Sequence, residues 1–113
     1  MPELPEVEAY ARYFERHALE RRIVRVRVLD DRILGVRREV LVRKLRGKVF
    51  SEVLRHGKHM FARAGTSWLH LHFGMSGDLR AYVDDQQAPR FARVIFDFED
   101  GTHLAFEDMR LFG

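Results

Sequence analysis

The sequence predicts a mainly β protein with two helices: an antiparallel β-sandwich or flattened barrel with an N-terminal helix. Three patterns carry that expectation. Helical spacing of apolar residues is confined to the first part of the chain, apolar–polar alternation takes over from residue 48 onward, and short turns rich in Gly and Asp separate the alternating runs. With 113 residues, the chain is expected to form one domain, 1–113, around a core of modest size.

Leu4, Val7, Ala11, Phe14 and Ala18 follow the 3–4 spacing of one buried helical face, which predicts a helix over about 4–19. Pro5 fits the first turn, where a missing N–H costs nothing, and Glu3, Glu6 and Glu8 suit the positive end of the helix dipole. Val24, Val26 and Val28 alternate with Arg25 and Arg27 as in a half-buried strand that Asp30-Asp31 closes. Val40, Leu41 and Leu45, followed by Gly47 just past the end, predict a short second helix.

The β pattern then runs to the C-terminus. Val49 to Leu54 and His59 to Arg63 flank Gly57-Lys58, and in Trp68 to Phe73 the apolar Leu69, Leu71 and Phe73 alternate with His70 and His72. Leu79 to Val83 follows Gly74-Met75-Ser76-Gly77, and Val94 to Phe98 turns at Asp100-Gly101 into Thr102 to Phe106. These make seven short strands, with Asp84 to Pro89 as the loose stretch between the last two pairs.

Composition narrows the function classes. Hydrophobic residues at 46% and charged residues at 33% describe a globular protein, and no apolar run approaches the ~20 residues of a spanning helix. No membrane partner is therefore expected, and without an apolar leader the expected location is the cytoplasm. The absence of cysteine excludes disulfides and thiolate zinc ligation. Net charge +3 permits a phosphate-backbone partner without demanding one.

The first six residues, Met1-Pro2-Glu3-Leu4-Pro5-Glu6, carry the most chemistry. Removal of the initiator methionine would leave Pro2 as a secondary amine with two carboxylates within one helical turn. A helix N-terminus disfavours an added positive charge there, which helps keep the amine unprotonated and nucleophilic. Condensed with an aldehyde, a secondary amine gives an obligatorily cationic iminium, an electron sink suited to β-elimination from a sugar. Glu3 can shuttle protons and Glu6 can position the amine or a water. From chemistry alone, the same residues also describe a plain helix start.

The ordered motifs separate these alternatives. Pro2-Glu3-Leu4-Pro5-Glu6-Val7-Glu8, then Gly57-Lys58-His59, then Leu71-His72-Phe73-Gly74-Met75-Ser76-Gly77, then Asp108-Met109-Arg110-Leu111-Phe112-Gly113 span the chain. Together they resemble the formamidopyrimidine-DNA glycosylase and endonuclease VIII family of base-excision-repair enzymes, leaning toward the formamidopyrimidine branch. The resemblance implies that Pro2 is the nucleophile that forms a Schiff base at the sugar C1′, Glu3 the proton donor and Glu6 a supporting carboxylate. Lys58 would approach the lesion and its phosphate, and His72 would lie on the DNA side. Met75, Arg110 and Phe112 would fill the gap left by a flipped nucleotide, as an apolar wedge and an Arg are suited to do. The implied partner is double-stranded DNA carrying a damaged base or an abasic site.

The resemblance has departures. Arg90-Phe91-Ala92-Arg93 stands where the family commonly has a Lys-His-x-His stretch, Met109 stands in place of a usual proline, and Leu111 in place of a second arginine. Family members also continue into a helix–two-turn–helix segment and usually a four-cysteine zinc finger, so the chain reads as an N-terminal catalytic domain with no cofactor of its own. Apolar surface near Leu111 and Phe112 is then expected to allow self-association. Two rivals are weighed beside this reading. His70, His72 and His103 invite a metal site, but no acidic partner is placed by the sequence. A non-catalytic, damaged-DNA-binding β-sandwich explains the charge and gives no reason for Pro2-Glu3.

Overall fold

A computed structural model describes residues 4–112 of the chain, and the side chains of all of these except 4–6, 73–77, 85, 108–110 and 112. The first helix, α1, runs Leu4–Ala18, and strand β1 follows at Ile23–Val28. A second helix, α2 (Arg38–Leu45), precedes strands β2 (Phe50–His56), β3 (His59–Ala64), β4 (Ser67–Tyr82), β5 (Val94–Phe98) and β6 (His103–Phe112). Single 3₁₀ turns lie at Asp31–Ile33 and Asp85–Gln87. Among the described residues, no helix is long and apolar enough to cross a membrane.

The strands form one antiparallel hydrogen-bonded array in the order β1-β5-β6-β4-β3-β2. It folds into two layers because β4 and β6 are long enough to serve both. The first part of β4 pairs with β3 and the end of β6, whereas Asp78 to Tyr82 pair with Glu107 to His103. Phe50 and Phe96, on strands far apart in that order, stack with ring centroids 5.9 Å apart, so the two layers face each other. The array is not closed. The outer strands β1 and β2 approach only at their starts, through the Arg22–Val49 bridge and an Ile23 N–H donated to the Lys48 carbonyl at 2.9 Å.

Six strands appear where seven are expected, because Trp68 to Phe73 and Leu79 to Val83 belong to one strand. Gly74-Met75-Ser76-Gly77 looks like a turn in sequence. In the structure these four residues sit against Asp108 alone, between the Phe73–Met109 and Asp78–Glu107 pairs, as a wide bulge. Extended backbone therefore continues through the motif.

The core lies between the layers and beneath α1. Val7, Ala11, Phe14 and Ala18 are buried, matching the helical face read from the sequence. Phe14 meets Phe50 edge-on at 5.1 Å and Phe96 meets Phe106 at 4.7 Å, so four aromatic rings link helix and both layers. Each such ring contributes about 1.5–3 kcal/mol on leaving water. Leu41 and Leu45 bury α2's inner face, and Gly47 and Gly101 take positive φ (80° and 89°) at the helix end and the β5–β6 hairpin. Leu111 is fully buried, so the apolar surface expected there is part of the core; Phe112's side chain lies outside the described set.

Candidate functional site

Three contacts fix the axis of α1. Near its start, the Arg55 guanidinium donates Nε–H to Glu8 Oε2 at 2.6 Å and an NH1 proton to the Gly57 carbonyl at 2.8 Å. Midway, the Tyr13 hydroxyl oxygen accepts the Ala81 N–H at 2.7 Å. Just past the end of the helix, the Glu20 N–H reaches the Phe50 carbonyl at 2.9 Å. Helix α1 thus lies along β2, and its N-terminal end is held beside the β2–β3 turn that carries Lys58. Gly57 makes that turn possible with φ +62°. Arg12 also pairs with Glu8, at 2.6 Å. Hydrogen bonding from Arg55 outweighs partial desolvation and, with Arg12, holds the Glu8 carboxyl below the usual range.

Beside this turn lies a histidine-rich sheet face. Met60, Ala62, Leu69 and Leu71 point into the core, so alternation puts His59, Phe61, His70 and His72 on the outer side of β3 and β4. His59 Nδ1 and His70 Nε2 share a proton at 2.8 Å, one ring donating and the other accepting. His59 stacks on its cross-strand partner His72 at 4.8 Å, and His70 stacks on Phe61 at 4.6 Å. Burial, reinforced by neighbouring His59 and His72, pushes the His70 pKa down. Register then sets Arg110 opposite His72 and Phe112 opposite His70 on β6.

His103 belongs to a separate cluster in the other layer. Its Nδ1 donates to Asp97 Oδ1 at 2.5 Å, and Asp97 also accepts from Arg27 at 2.7 Å and Arg25 at 3.0 Å. Burial pushes the Asp97 carboxyl up, but the hydrogen bonds from Arg27, His103 and Arg25 together hold it below the usual range. Among the described residues, no group of three or more His, Cys, Asp or Glu is arranged to hold a metal ion.

The profile described as formamidopyrimidine-DNA glycosylase N-terminal domain matches residues 1–113, the whole chain. The chain belongs to this family. Formamidopyrimidine-DNA glycosylases of Symbiobacterium thermophilum and Stutzerimonas stutzeri are each 38% identical to it, covering all of the chain and 37% and 42% of their own lengths. In crystal structures, the LlFpg protein bound to a THF-DNA and an inhibitor superposes with a TM-score of 0.91 at 25% identity, covering 98% of this chain and 43% of that one. MutM bound to carbocyclic 8-oxo-G containing DNA superposes equally well, with a TM-score of 0.91 at 25% identity over 98% of this chain and 44% of that one. The chain thus spans about two-fifths of the length of the relatives it matches.

Of the residues that the family resemblance singles out, Lys58, in the turn before β3, and His72, inside β4 opposite His59, are half-buried, and Glu6 lies in the first turn of α1. Met75 lies in the β4 bulge, while Arg110 and Phe112 lie on β6. Pro2 and Glu3 lie outside the described residues. At the departure from the family pattern, Phe91 is 58% exposed with the Arg90 guanidinium 5.5 Å from its ring centre, and Arg93 pairs with Asp30 at 3.4 Å. Sequence reasoning missed Arg55 and Glu8 as a pair, and His59 and His70 as a proton-sharing couple. The alternation of His59 and Phe61 with Met60 and Ala62 is the signal that points to His59's outer position.

Proposed function

We propose that this chain is the catalytic N-terminal domain of a bifunctional DNA glycosylase and abasic-site lyase that removes oxidised bases of the formamidopyrimidine and 8-oxoguanine type. Family membership supports the class. The observation that carries the site is Arg55, whose one guanidinium ties Glu8 of α1 to Gly57, keeping the helix end that leads to Pro2 beside Lys58.

In this reading the unprotonated Pro2 nitrogen attacks the sugar C1′, and the bond from C1′ to the damaged base breaks. The proton on the attacking nitrogen passes to the departing base, and Glu3 delivers its own to the ring oxygen as the sugar opens, leaving a cationic iminium and the Glu3 carboxylate. Loss of a C2′ proton into that electron sink expels the 3′ phosphate by β-elimination. Glu6 positions the amine or a water, Lys58 and His72 hold the phosphate backbone, and Met75, Arg110 and Phe112 fill the gap in the stack.

The partner is double-stranded DNA with a damaged base or abasic site, met in a bacterial cytoplasm. The family's zinc finger uses cysteines, and this chain has none, so it holds no zinc of that kind; no step above runs through a metal. The test is Glu3→Gln in the full-length gene product: base excision is lost while Schiff-base formation at an existing abasic site persists. Retained excision would remove Glu3 from the proton-donor role.

A further inference from the structure

The basic charge of the chain is concentrated away from Lys58. Between residues 37 and 48 stand six basic residues (Arg37, Arg38, Arg43, Lys44, Arg46, Lys48) and one acidic, Glu39. The whole chain has 20 basic and 17 acidic residues, so outside this window 14 basic residues face 16 acidic ones, a net −2 against the window's +5. The net positive charge therefore resides in α2 and the link to β2.

That charge is available. Arg43, Arg46 and Lys48 are exposed, and among the described residues none of them has a carboxylate within ion-pair reach. Arg37 pairs loosely with Glu39 at 3.9 Å and Arg38 with Asp31 at 3.5 Å. Arg38, Glu39, Val42, Arg43, Arg46 and Gly47 line one open groove of ≈ 630 Å³. The bland account is that Arg43 and Lys44 complement the helix dipole in the last turn. It accounts for those two and leaves Arg46 and Lys48, which lie past the helix.

The position of this patch matters as much as its sign. Lys48 precedes β2 and packs its side chain 3.4 Å from the space a Cβ on Gly65 would take, at the β3–β4 turn. Lys58 follows β2 at the β2–β3 turn. Strand β2 has seven residues, so the two lysines stand more than about 20 Å apart along it. The patch and Lys58 therefore stand at opposite ends of β2.

We propose that Arg38, Arg43, Arg46 and Lys48 form a second, lesion-independent surface that docks a separate segment of DNA duplex by its phosphate backbone, at the pole of the domain opposite Lys58. The identity of the polyanion rests on the DNA-repair reading above. Arg38 opens the eight-residue helix α2 and Arg46 follows its last residue, so the helix sets them about 12 Å apart, a span that meets three to four successive phosphates at about 3.4 Å per strand. A protein holding duplex at both poles can pass from one segment to another without full release.

The test uses the full-length gene product and a short undamaged duplex, with affinity followed by fluorescence anisotropy between about 50 and 200 mM salt. Each lost phosphate contact lowers the log–log salt slope by about 0.9, so Arg43→Gln/Arg46→Gln/Lys48→Gln together should lower it by about 2.7. Saturating stoichiometry should fall from two duplexes per protein to one, while borohydride trapping on abasic-site DNA stays within about two-fold of wild type. An unchanged slope and stoichiometry would overturn the proposal and leave the patch a solvated helix end. Failure of wild-type trapping would instead sink the catalytic reading, with the duplex titration still readable.

Discussion

Arg55 Nε lies 2.6 Å from Glu8 Oε2, and the same guanidinium holds the Gly57 carbonyl. Two segments 47 residues apart in sequence are thereby fixed end to end: the start of α1 and the turn bearing Lys58. Both side chains are about one-third exposed, so solvent screening leaves the pair itself little weight in stability. Its effect should appear in function. Arg55→Gln should leave the melting temperature nearly unchanged while slowing borohydride trapping on abasic-site DNA several-fold. Arg55→Lys should rescue poorly, because a point charge cannot bridge both acceptors. Wild-type trapping rates in both variants would disconnect this contact from the reaction.

Phe50 joins α1 and the two layers. It is fully buried, edge-on to Phe14 and stacked on Phe96. Phe50→Ala should cost about 3–5 kcal/mol in urea unfolding, the range for a buried aromatic replaced by a cavity. A loss below about 1 kcal/mol would mean that the layers do not pack through this ring.

Asp97 is the buried carboxylate of the other layer, 7% exposed and bound by Arg25, Arg27 and His103. Asp97→Ala strands a half-buried Arg27 and should destabilise by about 3 kcal/mol or more. Because the folded-state pKa is depressed, the carboxylate's contribution is complete above about pH 4 and is lost as pH falls through the folded value. Acid unfolding of the alanine variant should therefore show a shallower slope below pH 4 than wild type.

His70 titrates in a different window. Burial, His59 and His72 depress its folded pKa, so the unfolded chain takes up a proton first as pH drops. Stability should be full above about pH 6.5 and should decline below it until the folded value is reached. His70→Leu should flatten thermal stability between about pH 6.5 and 5, a range clear of the carboxylates. An NMR titration placing the His70 imidazole at or above about 6.5 would contradict this.

Much of this architecture was legible from residue types. Val7, Ala11, Phe14 and Ala18 marked α1's buried face because a helix repeats every 3.6 residues, and Gly47 and Gly101 marked two bends because each needs positive φ. The continuity of β4 was not legible. Gly74 and Gly77 signal a turn locally, and only pairing with β6, across more than thirty residues, makes them a bulge. The same holds for the contacts of Glu8 with Arg55 and of Asp97 with Arg25 and Arg27: each charge is ordinary in its own segment, and topology alone joins them. His103 looked like a partner for His70 and His72, yet β6 pairs it with Tyr82 in the opposite layer. The family motifs at Pro2, Lys58, Met75 and Arg110 were legible as a resemblance of ordered words, which periodicity could not have supplied.

The most direct measurement is borohydride trapping of the full-length gene product on duplex DNA carrying an abasic site, run beside a version with extra residues ahead of Pro2. The account predicts a covalent protein–DNA adduct for the native terminus and none when the proline amine is capped. Equal trapping by both chains would contradict Pro2 as the nucleophile, and no adduct from the native terminus would contradict the glycosylase/lyase reading itself.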